Sequence, residues 1–243
     1  EATVESGSSD AGSAAVESED GPAVGASTDS DSGLGEPAQL PGWSMFGGEP
    51  ARTSDAGGGA PREGLAPAWS NDLADIDTGP ALVDGRVIVE DGTASMCACD
   101  VETGEKLWSF DTDGGVASSP AVVGETVYFG SWDKALYAVD AETGMEVWAY
   151  EPSGSGFSNV QSTPAVAEGV VVVGSDDGGV YGVDAETGTE QWAVQTDGEV
   201  TSSPAIAYGT AYVGSEDSAV YAIDVETGTE TWSFEPEAYP GIE

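Results

Sequence analysis

Two kinds of side chain in this sequence could do chemistry beyond folding. The first is the carboxylate: 45 Asp and Glu stand against 5 Lys and Arg, with no His, giving a formal charge of −40. Clustered carboxylates and carbonyls bind hard cations such as Ca²⁺. Two runs invite that reading, "SDDGG" from Ser175 and "SEDSA" from Ser215. Asp and Gly are also the residues of tight turns, and a turn is the plainer account of a run that recurs at one position. The second is the thiol pair Cys97 and Cys99. Residues i and i+2 of a strand share a face, so the thiols lie side by side. Free buried cysteines behave as small hydrophobes, and that is the expectation. A disulfide across one residue is geometrically awkward, and one Cys-x-Cys without His is a weak metal site.

The charge bounds the function classes. Nucleic-acid phosphates and anionic membrane surfaces would both be repelled. Self-repulsion destabilises a compact state at low ionic strength, but at about 1 M salt the Debye length falls to about 3 Å. The composition suits work in molar salt and resembles that of proteins from halophilic archaea; a merely acidic mesophilic protein is the alternative. No apolar run reaches the roughly 20 residues of a membrane span. The chain opens on Glu1 with no visible signal segment, and is read as a trimmed chain or a fragment.

Composition also divides the chain. Residues 1–40 are Ser, Gly, Ala and acid, without Lys, Arg or an aromatic residue. Such a segment cannot bury enough apolar surface to offset its ordering entropy. The expectation is a disordered acidic tether, as in exported halophilic proteins. Residues 41–68 form a leader, with Trp43 expected to pack on the following domain and two of the cations, Arg52 and Arg62.

From Trp69 the chain is periodic: Trp69, Trp108, Trp148, Trp192 and Trp232 are spaced by 39, 40, 44 and 40 residues. Self-similarity near 40 residues marks a repeat array. Each repeat carries a Pro-Ala motif ("TGPAL", "SSPAV", "STPAV", "SSPAI"), a β-rich run such as "ETVYFGS", a turn, a short strand such as "LYAVD", and an Asp-x-x-Thr-Gly turn leading to the Trp strand. No stretch sustains a helical apolar period. Four short antiparallel strands per repeat describe a propeller blade, so an all-β propeller of about four blades is expected over 69–243, with repeats at 69–107, 108–147, 148–191 and 192–232. The extra residues of the longer repeat, in "EPSGSGFSNVQ", belong in a loop.

The motif Ala-x-Asp-x-x-Thr-Gly-x-x-x-Trp has physical roles at each position. Asp140 accepts turn N–H groups, Thr143 assists, Gly144 takes positive φ, and Trp148 brings a large apolar ring with one N–H to satisfy. Blades bury their faces on neighbours, so the motif reads as an inter-blade clasp. The pattern resembles the tryptophan-docking motif of pyrroloquinoline quinone (PQQ) type repeats, where the Trp stacks on a glycine peptide of an adjacent blade. Asp100, Asp140, Asp184 and Asp224 match it, as do Thr103, Thr143, Thr187 and Thr227, Gly104, Gly144, Gly188 and Gly228, and Trp108, Trp148, Trp192 and Trp232; Gly182 departs from the leading Ala. Relatives usually close with seven or eight blades, which leaves a truncated propeller, a half-ring that self-associates with a second copy, or a four-bladed closure.

The resemblance implies two functions. Quinoprotein alcohol or glucose dehydrogenases hold PQQ and Ca²⁺ on the ring axis, and alcohol-oxidising members often use adjacent cysteines. Here the cysteines are not adjacent, and the repeats offer only Arg86, Lys106 and Lys134 to hold an anionic cofactor. The expectation is therefore no catalytic, cofactor or metal site. Non-enzymatic members present loops to protein partners, and that scaffold role, secreted or tethered outside the cytoplasm, is the preferred reading. Trp132 breaks its repeat position and is expected half exposed on a turn, as an anchor for a partner or lying across its own blade. Tyr128, Tyr137, Tyr181, Tyr212 and Tyr221 are expected in the packing.

Overall fold

The computed structural model describes residues 67–71, 73, 76–152 and 159–236. The tether, Trp43 with most of the leader, and most of the loop insertion lie outside the described residues. The chain divides into two units, Glu1–Gln39 and Leu40–Glu243, and the description concerns the second.

Its described residues form sixteen strands and no helix. They fall into four antiparallel sheets, each ordered as in sequence. The first holds β1 (Ala81–Val83), β2 (Arg86–Glu90), β3 (Ser95–Asp100) and β4 (Lys106–Asp111). The second holds β5 (Ala121–Val123), β6 (Thr126–Gly130), β7 (Leu136–Asp140) and β8 (Glu146–Tyr150). The third holds β9 (Ala165–Ala167), β10 (Val170–Gly174), β11 (Gly179–Asp184) and β12 (Glu190–Gln195). The fourth holds β13 (Ala205–Ala207), β14 (Thr210–Gly214), β15 (Val220–Asp224) and β16 (Glu230–Phe234).

Local chemistry sets these limits. Each innermost strand begins just after Pro80, Pro120, Pro164 or Pro204, because proline has no N–H for the ladder and sits at strand starts. The next turns are two-residue hairpins with positive φ at both centres, Asp84–Gly85, Glu168–Gly169 and Tyr208–Gly209, which matches the strand twist. Each outer pair carries a register shift one residue beyond the Trp pair, and Ala98, Ala138, Gly182 and Ala222 lie opposite the four tryptophans. The small residue is required there: a Cβ on Gly182 would meet Trp192 Cε2 at 2.0 Å.

The sheets are out of phase with the Trp-to-Trp segments. Trp108, Trp148, Trp192 and Trp232 lie on the outer strands β4, β8, β12 and β16, so a cut at the Trp would split each outer strand. A blade therefore runs from its Pro-Ala motif through its Trp. Three apolar clusters fill the spaces between successive sheets. The innermost strands meet in series, β1 with β5, β5 with β9 and β9 with β13, and the sheets do not close into a ring.

Candidate functional site

The recurring turn builds a seat. Asp140 Oδ1 accepts Thr143 N at 2.7 Å and Thr143 Oγ1 at 2.6 Å, while Gly144 N donates to Asp140 O at 2.8 Å. Asp100, Asp184 and Asp224 repeat this with Thr103, Thr187 and Thr227. These bonds to the threonines hold all four carboxyls below the usual carboxylate range. The glycine then lies bare under an indole of the preceding blade. A Cβ on Gly144 would meet Trp108 Cδ2 at 2.7 Å, one on Gly188 would meet Trp148 Cδ2 at 2.7 Å, and one on Gly228 would meet Trp192 Cγ at 2.5 Å. Each indole N–H reaches a carbonyl of the same turn: Trp108 to Ala141 O at 3.0 Å, Trp148 to Ala185 O at 3.2 Å, Trp192 to Val225 O at 2.8 Å. All three tryptophans are 8% exposed.

Two indoles depart from this register. Trp69 fills the first seat: a Cβ on Gly104 would meet its Cδ2 at 2.6 Å, and its Nε1 donates to Val101 O at 2.9 Å. Trp232 carries the full motif yet is 46% exposed, and no glycine turn among the described residues receives it.

The acidic runs at Ser175 and Ser215 are committed to their own turns. Asp177 accepts Gly179 N at 2.8 Å and Tyr181 OH at 2.7 Å; Asp217 accepts Ala219 N at 2.8 Å and Tyr221 OH at 2.7 Å. The second blade repeats this with Asp133, Ala135 and Tyr137. Burial and the bond to Asp177 push the Tyr181 hydroxyl well above its usual range. Among the described residues no three His, Cys, Asp or Glu are grouped to hold a metal. Cys97 and Cys99 are free and buried beside Val89 and Leu73, and burial, helped by the neighbouring Cys99, pushes the Cys97 thiol up to about 12.

Near the axis the Pro-Ala motifs join hands. Gly79 N donates to Ser119 Oγ at 2.9 Å, Ser119 N to Thr163 Oγ1 at 3.1 Å, and Thr163 N to Ser203 Oγ at 3.0 Å. Around this ladder opens a cavity of about 230 Å³ lined by Asp77, Thr78, Gly79, Ala117, Ser119, Gln161, Thr163 and Ser203. Its charged side chain is an aspartate, so this lining does not fit a tricarboxylate such as PQQ, which needs cationic partners. The ladder was hidden in the sequence because each hydroxyl serves the blade before its own. Glu90 was missed as well. It takes the place of Gly130, Gly174 and Gly214, is 3% exposed, and accepts Asp77 N at 2.7 Å and Gly92 N at 3.0 Å. The Asp-x-x-x-Tyr spacing in "DKALY", "DGGVY" and "DSAVY" was a legible signal for the turn pairs.

Trp132 sits on the turn between β6 and β7 and is 51% exposed. Its backbone N–H donates to Gly115 O at 2.8 Å, and its ring lies over Gly115, where a Cβ would meet Cε3 at 3.0 Å. One face of the indole is thus held by the crossover from the first blade and the rest is open.

Blades stapled by indoles on glycine turns define a β-propeller of tryptophan-docked repeats. The chain belongs to the PQQ-type repeat family: the profile described as outer membrane protein assembly factor BamB matches residues 61–161 and 154–241. Among solved structures it is similar to BamB from Moraxella catarrhalis, at 24% identity and TM-score 0.56 over 64% of this chain and 47% of that one. It is also similar to the quinohemoprotein alcohol dehydrogenase ADHIIG from Pseudomonas putida HK5 (20%, TM-score 0.68, 81% of this chain and 40% of that one). The quinohemoprotein alcohol dehydrogenase from Comamonas testosteroni stands close to it (22%, TM-score 0.67, 82% and 41%). The chain thus spans less than half of each of these structures. No curated protein matches the sequence.

Proposed function

We propose that this protein is a non-catalytic scaffold, working outside the cytoplasm in high salt, that binds a protein partner through the loop face of its propeller. The observation that carries this is Trp132. A large ring held on one side and open on the other, among hydrogen-bonded turns, is the form of an interface anchor. The motif carboxylates support the same reading, since each uses its Oδ1 to hold its own turn. The BamB family description adds a protein-assembly role and an envelope or surface location. The charge of −40 favours partners that are basic or that meet the protein in molar salt.

A second reading is a portion of a PQQ- and Ca²⁺-dependent alcohol dehydrogenase. The higher TM-scores of the quinohemoprotein enzymes favour it; the aspartate and hydroxyl lining of the axial cavity weighs against it. The deciding experiment is purification in molar KCl, addition of PQQ and Ca²⁺, and an assay of dye-linked alcohol oxidation with quinone absorbance. The scaffold reading expects no turnover; robust turnover overturns it. In parallel, Trp132→Ser should keep the β-sheet circular dichroism of the wild type and abolish capture of a cross-linked surface partner.

A further inference from the structure

Trp132 is the exception at a position the fold repeats. The crossover into a blade lies against the turn between that blade's second and third strands, and a crossover carbonyl takes the backbone N–H of the turn's second residue. Gly115 O accepts Trp132 N at 2.8 Å, Asn159 O accepts Asp176 N at 3.1 Å, and Glu199 O accepts Glu216 N at 2.8 Å. In the second and fourth blades the match goes further. Asp113 N donates to Asp133 Oδ2 at 3.0 Å and Asp197 N to Asp217 Oδ2 at 3.1 Å. A Cβ on Gly114 would meet Asp133 N at 2.4 Å, and one on Gly198 would meet Asp217 N at 2.3 Å. The turn is thus built alike around Glu216 and around Trp132, so the indole is not what holds it. Where the ring stands, the crossover also has Gly115 in place of Asn159 and Glu199, and the ring lies over that bare backbone. A large ring that its turn does not require, seated on a glycine and half exposed, is available to a ligand.

The surroundings set the ligand's charge. The face of an indole attracts cations more strongly than that of any other side chain. Asp113, two residues before Gly115, is exposed. Asp133 is committed to the turn: its Oδ1 accepts Ala135 N at 3.1 Å and its Oδ2 accepts Tyr137 OH at 2.8 Å as well as Asp113 N. Lys134 adds one ammonium to the same turn. We propose that Trp132 and Asp113 bind an arginine of the partner protein, its guanidinium flat on the indole face away from Gly115 and paired with the Asp113 carboxylate; this rests on the scaffold reading above. Arginine fits better than lysine, because its planar, weakly hydrated group stacks on a ring while an ammonium keeps its water. Salt sharpens the choice. At about 1 M the Debye length is about 3 Å, so an exposed ion pair alone contributes little, whereas stacking acts at contact distance and persists. Lys134 works in the same direction: its charge offsets one carboxylate, so the ring must supply what charge does not.

The test is a titration of the ¹⁵N-labelled full chain at about 1 M KCl with the capped peptide acetyl-Gly-Arg-Gly-amide. The readout is the Trp132 indole N–H resonance, identified by its loss in Trp132→Ser. A saturable shift is expected, with a dissociation constant in the millimolar range suited to one side chain. The same peptide with citrulline, planar but uncharged, should bind at least about fivefold more weakly, and the lysine peptide should also bind more weakly than arginine. Asp113→Asn should weaken the arginine peptide about threefold. Asp197→Asn, the equivalent position in the fourth blade, should leave it unchanged. An unmoved indole overturns the proposal, as does citrulline or lysine binding as tightly as arginine, or an equal loss in the two Asp variants. The scaffold reading fails separately. Capture of a partner lost in Trp132→Ser, with an indole that ignores arginine, would keep the scaffold and overturn the guanidinium site; an arginine shift accompanied by PQQ-dependent turnover would uphold the guanidinium site and overturn the scaffold.

Discussion

Gly144→Ala separates the two demands that a docking turn makes on its glycine. Gly144 has φ of 70°, a conformation that costs a residue with a Cβ roughly 1–2 kcal/mol. Its Cβ would also stand 2.7 Å from Trp108 Cδ2, well inside contact distance, so the indole must lift. The unseated Trp232 shows what lifting means: 46% exposed against 8% for Trp108. On a side chain of about 200 Å² that difference is about 80 Å², or about 2 kcal/mol at 25 cal/mol per Å². The bond from Trp108 Nε1 to Ala141 O adds about 1 kcal/mol. The control lies within the same blade. Gly124 has φ of 59° and nothing within 4 Å of a Cβ, so Gly124→Ala measures backbone strain alone. Urea unfolding at about 1 M KCl, followed by tryptophan fluorescence, should place Gly144→Ala about 3 kcal/mol below Gly124→Ala, from the burial and hydrogen-bond figures together. Equal costs would refute the seat as a source of cohesion.

Other outcomes follow from the same contacts. The urea midpoint should climb as KCl is raised to about 1 M and then flatten, as screening removes self-repulsion; a flat response from low salt upward would dismiss charge as the controlling variable. Burial first, then bonds to Asp133, Glu190 and Asp177, raises Tyr137, Tyr150 and Tyr181 above the ordinary 10.0, while the bond to Asp217 raises Tyr221 to about 12. A raised pKa adds stability that is whole below pH 10 and fades as pH climbs through the folded values. Absorbance titration at high salt should therefore show late phenol ionisation coincident with unfolding, and eight phenols titrating together near 10 would contradict it. Tyr150→Phe removes the bond to Glu190 and should cost about 2 kcal/mol in urea unfolding, the value of a bond to a charged group; an unchanged midpoint would show that bond to be idle. In acid the depressed carboxyls of Asp100, Asp140, Asp184 and Asp224 contribute stability present above 3.8 and lost below it, so high-salt midpoints should fall below pH 4, and midpoints that hold level there would count against the turns.

What the sequence made legible was whatever a single blade decides for itself. Asp140, Thr143 and Gly144 close their turn with their own atoms, so the motif revealed both turn and strand limits. What it hid was whatever needs the neighbour. Trp192 and Trp232 carry the same motif, "VDAETGTEQW" and "IDVETGTETW", yet one indole is buried and the other is not. Nothing within either phrase encodes the difference; among the described residues it lies in whether a neighbouring sheet brings a glycine turn to the indole. The Ser119, Thr163 and Ser203 ladder was hidden for the same reason, since each hydroxyl completes the preceding blade. Trp69 inverts the case: its spacing was visible, but the chain before it lacks the Asp-x-x-Thr-Gly turn that precedes every other docking Trp.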